Sequence, residues 1–88
     1  MPSWKDYERF LKHDGWEYLP QNSGTDKAYR KILSDGSVLR TRVSKSSKEI
    51  GSGLFASILK NQVLASKAYF TKVLANANAS CNDPEKRK

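Results

Sequence analysis

The stretch KAYRKILSDGSVLRTRVSKSSKEIGSG, Lys27–Gly53, decides the fold. Two β-prone runs flank Asp35-Gly36, a dipeptide that tolerates the positive φ angles of a tight primed turn. The spacing therefore predicts a β-hairpin that feeds a glycine-punctuated loop into a helix. A two-residue turn at Asp35-Gly36 sets Leu33 opposite Val38, Ile32 opposite Leu39, Lys31 opposite Arg40, Arg30 opposite Thr41, Tyr29 opposite Arg42 and Ala28 opposite Val43. Side chains alternate between faces, so Ala28, Ile32, Leu39 and Val43 share one surface, and Tyr29, Lys31, Arg40 and Arg42 share the other. One face is mostly apolar; the other is cationic around an aromatic ring. Lys31 directly across from Arg40 is repulsive, which points to an anionic partner on that face.

On the amino-terminal side, Ser3 with Asp6 three positions later forms a capping-box pattern. Trp4, Tyr7, Phe10 and Leu11 follow at helical spacing up to a stop at Gly15. An aromatic stripe at that spacing is core packing rather than a stacking platform. Trp16–Leu19 reads as a short strand closed by Pro20 and the polar loop Gln21–Asp26. On the carboxy-terminal side, Leu54, Phe55, Ile58 and Leu59 mark a second helix. Val63-Leu64-Ala65 makes a break, and Ser66 caps a third helix carrying Tyr69, Phe70, Val73 and Leu74. From Asn76 the composition is too polar to build a core. The expected organisation is one domain over residues 1–75 and a flexible polar tail over 76–88. The order α-β-β-β-α-α implies an α+β fold, a three-stranded antiparallel sheet with helices on one face and the other face open.

A chain of 88 residues buries only about 60% of its unfolded surface, enough for one core and not for a deep small-molecule site. The formal net charge is +7 and the isoelectric point is near 9.7, a balance that favours nucleic acid or another acidic partner. The charge is clustered: Lys27–Lys48 holds Lys27, Arg30, Lys31, Arg40, Arg42, Lys45 and Lys48 against Asp35 alone. The single cysteine, Cys81, permits neither an internal disulfide nor a cysteine-based metal site, and no carboxylate or histidine cluster has ligand spacing. No metal or other cofactor is expected. With no apolar signal core and no run approaching the roughly 20 residues of a membrane span, a cytoplasmic protein is expected.

On the expected open face, Tyr29, Lys31, Arg40 and Arg42 are suited to clamping phosphates, with the tyrosine ring placed to stack on an unpaired base. The plain alternative is a solvated charged face that keeps the sheet soluble. Lys45, Lys48 and Gly51-Ser52-Gly53 precede a helix whose first N–H groups suit an anion, although any tight loop also needs glycine. His13, the only histidine, falls in the last turn of the first helix, where an imidazolium gains from the dipole. Asp26, beside so many cations, has its acidity strengthened and is a poor general acid or base near neutrality.

Three segments carry a family resemblance: HDGWEYL around Asp14-Gly15-Trp16, YRKILSDGSVLRTRVS over Tyr29–Ser44, and KEIGSGLFASILKNQ over Lys48–Gln62. In order and spacing the chain, over roughly Trp4–Leu74, resembles the small HicA-type toxins, cytotoxic translational repressors of toxin–antitoxin systems. The resemblance implies a double-stranded-RNA-binding-like fold, metal-independent endoribonuclease activity as an mRNA interferase, and a HicB-like antitoxin that covers the active face. It also implies a histidine in a Gly-Ser-His motif just ahead of the second strand. Alignment on Gly24 and Tyr29 without gaps puts Asp26 there, and a one-residue shift puts Lys27 there; neither is histidine. The expected RNA-binding set is Arg30, Lys31, Arg40, Arg42, Lys45 and Lys48. Any cleavage chemistry falls to Asp26, Lys27 and Tyr29. A non-catalytic nucleic-acid-binding module, and a protein-interaction domain using its basic sheet face, are the alternatives to a toxin.

Overall fold

A capping box opens the first helix, α1 (Trp4–His13): the Ser3 hydroxyl accepts the Asp6 N–H at 3.1 Å and the Asp6 carboxylate accepts the Ser3 N–H at 3.2 Å. The computed structural model describes residues 2–19, 27–44 and 48–87. Helix α1 closes through Asp14 and Gly15, whose φ of +81° is a left-handed conformation that glycine adopts without strain. Strands β1 (Glu17–Leu19), β2 (Lys27–Ile32) and β3 (Val38–Val43) form an antiparallel sheet in the order β1-β2-β3. Helix α2 (Ser52–Ile58) runs into a π-helical turn, Leu59–Val63, and α3 (Lys67–Ala75) follows. The break expected at Val63-Leu64-Ala65 is made by Leu64, which is left-handed at φ 51°, and Ser66 caps α3 by accepting the Tyr69 N–H.

The helical stripes meet in one core. Tyr7, Phe10 and Leu11 of α1 are fully buried, and they share a core with the buried Phe55, Ile58, Leu59, Val63, Phe70 and Val73. The Phe70 ring lies 4.7 Å from Phe10 and 4.9 Å from Phe55, centroid to centroid. Each such side chain removed from water contributes about 1.5–3 kcal/mol. The aromatic stripe of α1 is thus scaffold. His13 is too: its Nδ1–H donates to the Val73 carbonyl at 3.0 Å, tying the end of α1 to α3.

The hairpin register differs from the expected one by a single residue. Ile32 pairs with Val38, Lys31 with Leu39, Arg30 with Arg40, Tyr29 with Thr41, Ala28 with Arg42 and Lys27 with Val43. The loop has three residues, not two. Leu33 donates its N–H to Ser37 at 2.8 Å, Gly36 donates back to the Leu33 carbonyl at 3.0 Å, and Gly36 stands at φ +89°. This is the geometry of a type I turn followed by a left-handed glycine bulge, and the extra residue slips β2 past β3 by one. A one-residue slip turns every side chain of the slipped strand to the opposite face. Tyr29 and Lys31 therefore point inward with Leu39, Thr41 and Val43, while Arg30 and Ile32 face outward with Val38, Arg40 and Arg42.

The tail expected to stand off the domain is packed against it instead. Residues 76–87 form two 3-10 turns, Ala77–Ala79 and Pro84–Arg87. The Asn82 carbonyl accepts the Ser34 N–H of the hairpin loop at 2.9 Å, and the Arg87 carbonyl accepts the Ser66 N–H at 2.9 Å. Arg87 is completely buried. Composition alone argues against a core in this segment; a single arginine that pairs with a buried carboxylate reverses the outcome.

That carboxylate is Asp14. Its Oδ1 accepts from Tyr69 at 2.5 Å and from Arg87 Nη1 at 3.0 Å, and its Oδ2 takes the Trp16 indole N–H at 2.9 Å and Arg87 Nη2 at 2.8 Å. The guanidinium also donates to the Val63 carbonyl and lies over the Tyr69 ring, 4.7 Å from its centroid. Lys31 reaches the same place, donating to the Asp14 carbonyl from the sheet side. Burial is the main reason its ammonium is held below the usual lysine range, with Asp14 opposing that shift and Arg87 adding to it.

Candidate nucleic-acid interface

The outward face of the hairpin is built around a like-charge pair. Arg30 and Arg40 stand directly opposite one another, and Arg42 follows Arg40 on the same face. Arg40 and Arg42 are exposed. Arg30 is half-buried and donates to Glu17, its direct neighbour on β1, at 2.6 Å. Its Nε is buried without a hydrogen-bond partner among the described residues. Among the described residues, this carboxylate answers one of the three guanidiniums. Around them lie the exposed apolar side chains Ile32 and Val38. A cleft of about 710 Å³ is lined by the three arginines together with inward residues, Tyr29 and Thr41 of the sheet and Ile58 and Gln62 of the helical layer.

A second constellation lies on the inward side, between α1 and the start of β2. Glu8 Oε2 accepts the Tyr29 hydroxyl at 2.7 Å and forms an ion pair with Lys27 at 3.1 Å. Burial alone would raise the Glu8 pKa, but the Tyr29 hydrogen bond and the Lys27 and Lys12 charges outweigh it, and the carboxyl is held below the usual glutamate range. Burial, reinforced by the Glu8 carboxylate, drives the Tyr29 phenol well above its ordinary value. Tyr29 is consequently a neutral donor and a poor proton carrier near neutrality. Trp16, Tyr18 and Lys12 complete the walls of a cleft of about 350 Å³ around this pair.

Of the residues expected from sequence, Arg30, Arg40 and Arg42 are brought together on the open face. Lys31 is not: it is buried against Asp14. Tyr29 is 3% exposed and belongs to the inward side with Lys27. Lys48 lies in the segment that pairs with the start of α1, where Ser3 bridges to Glu49 and the Lys48 carbonyl accepts the Trp4 N–H. Gly51 precedes α2 without a side-chain cap. Asp26 and Lys45 lie outside the described residues.

Sequence reasoning missed Glu8 and Glu17. Glu17 becomes legible only once the β1–β2 register is known, and Glu8 only once α1 is packed beside β2. Among the described residues no group of three or more histidine, cysteine or acidic side chains is placed to hold a metal ion, and no helix is long and apolar enough to cross a membrane. Comparison of the chain with protein-family models, with curated proteins and with solved structures finds no match.

Proposed function

We propose that this chain is an RNA-binding domain of the HicA-like kind, with a double-stranded-RNA-binding-like arrangement of helices behind an open sheet face. One observation carries the reading: Arg30, Arg40 and Arg42 are gathered on the outward face, where among the described residues only Glu17 is paired with one of them. Guanidiniums bind phosphate oxygens in a fixed fork, and an anionic backbone lying across β2 and β3 would relieve the Arg30–Arg40 repulsion. The exposed Ile32 and Val38 offer apolar contact to sugars and unpaired bases beside the phosphate track. A HicB-like antitoxin would act by covering this face, in keeping with the sequence resemblance.

Binding without cleavage is the favoured form. Of the groups expected to do the chemistry, Tyr29 has its proton committed to Glu8, and Lys27 is paired to the same carboxylate. Incubation with single-stranded RNA in the presence of chelator tests this directly: the RNA is expected to stay intact, and accumulation of cyclic-phosphate ends would show an endoribonuclease instead.

The binding reading is tested by replacing Arg40 and Arg42 together with alanine. Both are exposed, so the fold should persist. Affinity for single-stranded RNA is expected to fall, and the slope of log affinity against log salt to flatten by about 1 to 1.5, roughly 0.7 per lost phosphate contact. Unchanged affinity at two salt concentrations would overturn the assignment of this face.

A further inference from the structure

We infer that the cleft between α1 and the edge of the sheet, lined by Trp16, Tyr18, Tyr29, Glu8, Lys12 and Lys27, receives an unpaired guanine of the bound RNA. The inference rests on the RNA-binding reading and adds a base specificity to it.

Three chemistries coincide in this cleft, and together they match the parts of one nucleotide. The first is aromatic surface. Tyr18 is 49% exposed although it is large and apolar, and its ring lies 5.5 Å from that of Tyr29 at an interplanar angle of 53°. The two rings are tilted against one another, not stacked, so Tyr18 keeps surface open to a flat ligand. Base stacking on such a ring is worth having and is indifferent to which base is stacked.

The second is a fixed acceptor. Both contacts of Glu8 fall on Oε2, and Oε1 has no partner among the described residues. An ionised carboxylate accepts and never donates. Among the four RNA bases, guanine alone presents two adjacent donors, N1–H and the exocyclic amine, on its pairing edge. Adenine and cytosine each set a ring-nitrogen acceptor beside their amine, and uracil flanks its N–H with two carbonyls, so each would turn a lone pair toward the carboxylate. The Tyr29 hydroxyl and the Lys27 ammonium, which line the same cleft, hold the carboxylate through Oε2, so its position is set before a base arrives.

The third is cationic charge at the rim. Lys12 is exposed and the Lys27 side chain is 39% exposed, so both stand where a flanking phosphate would pass. A cleft of about 350 Å³ is at the lower end of ligand-sized pockets, which suits one base and not a larger cofactor. Since β1 is an edge strand, a backbone crossing the arginines of the outer face can step over that edge and turn a single base inward.

The test compares otherwise identical single-stranded RNAs in which one central guanosine in a uridine background is kept or replaced by adenosine, cytidine or inosine. Guanosine monophosphate is measured alongside the other three monophosphates. Wild type is expected to prefer the guanosine-containing RNA by about tenfold, the discrimination typical of one paired carboxylate edge. Inosine, which keeps N1–H and lacks the amine, should fall between. Glu8→Gln, which retains an acceptor for Tyr29, should abolish the preference. Tyr18→Ala, at an exposed position, should weaken guanosine-containing RNA about tenfold. Equal affinity for all four RNAs, or a preference that survives Glu8→Gln, would overturn the inference and leave the arginine face standing. Selective binding of guanosine monophosphate by a protein that fails to retain RNA would do the reverse.

Discussion

Asp14 is the carboxylate at the centre of a buried polar cluster. Its carboxylate is fully buried and receives both guanidinium nitrogens of Arg87, the Tyr69 hydroxyl and the Trp16 indole, so every lone pair that burial strips of water is used. A buried ion pair gains little over well-packed apolar groups, but removing one partner leaves an uncompensated charge. Arg87→Ala is therefore expected to destabilise the fold by about 3–5 kcal/mol, read as a drop in the urea midpoint at unchanged slope. A loss below about 1 kcal/mol would mean that the terminal turn is not docked in solution. Lys31 belongs to the same cluster and obeys different physics. Its ammonium is held below the ordinary lysine range chiefly by burial, so at neutral pH the folded state carries a cost that the unfolded chain does not.

Among the elements, the hairpin shows how one turn residue governs a whole face. Gly36 occupies a left-handed conformation at φ +89°, and a Cβ there would meet nothing within 4 Å. Steric crowding plays no part, so Gly36→Ala measures backbone conformation alone and should cost about 1–2 kcal/mol by thermal or urea unfolding. The consequence reaches beyond that turn. Because the bulge fixes β2 one residue out of step with a two-residue hairpin, Arg30 faces outward and Lys31 inward. The arginine face depends on the register that this glycine sets.

For the whole molecule, three tyrosines set the alkaline limit of stability. Tyr7, Tyr29 and Tyr69 each have phenol pKa values raised from 10.0, primarily by burial, and for Tyr29 and Tyr69 also by donation to Glu8 and Asp14. A group whose pKa is higher folded than unfolded contributes stability that is complete below its unfolded value and is lost as pH rises through the folded one. Stability should accordingly fall as pH climbs above 10.0, the unfolded tyrosine value. Lys31 acts in the opposite direction up to its own unfolded value of 10.5, because its folded pKa is lowered. The check is spectrophotometric: phenolate absorbance from these rings should appear together with the loss of tertiary structure. Three phenols ionising while the fold remains intact would contradict the burial that the core assigns to them.

The sequence by itself determined the element order, the capping box at Ser3 and Asp6, the break at Leu64, the Ser66 cap and the helical stripes that became the core. These are local properties, set by side-chain spacing and by hydrogen bonds between residues a few positions apart. It determined as well that β3 turns Arg40 and Arg42 to one side, since alternation along a strand needs no partner. What the neighbouring strand does was decided by tertiary structure. The three-residue loop, one longer than expected at Asp35-Gly36, exchanged the faces of Tyr29, Arg30 and Lys31. Docking of α1 beside β2 brought Glu8 to Lys27 and Tyr29, and closure of the terminal turn buried Arg87 against Asp14 across 73 positions of chain. The guanidinium and carboxylate carry no local signal of each other, and their pairing is favourable only once the core has excluded water from both.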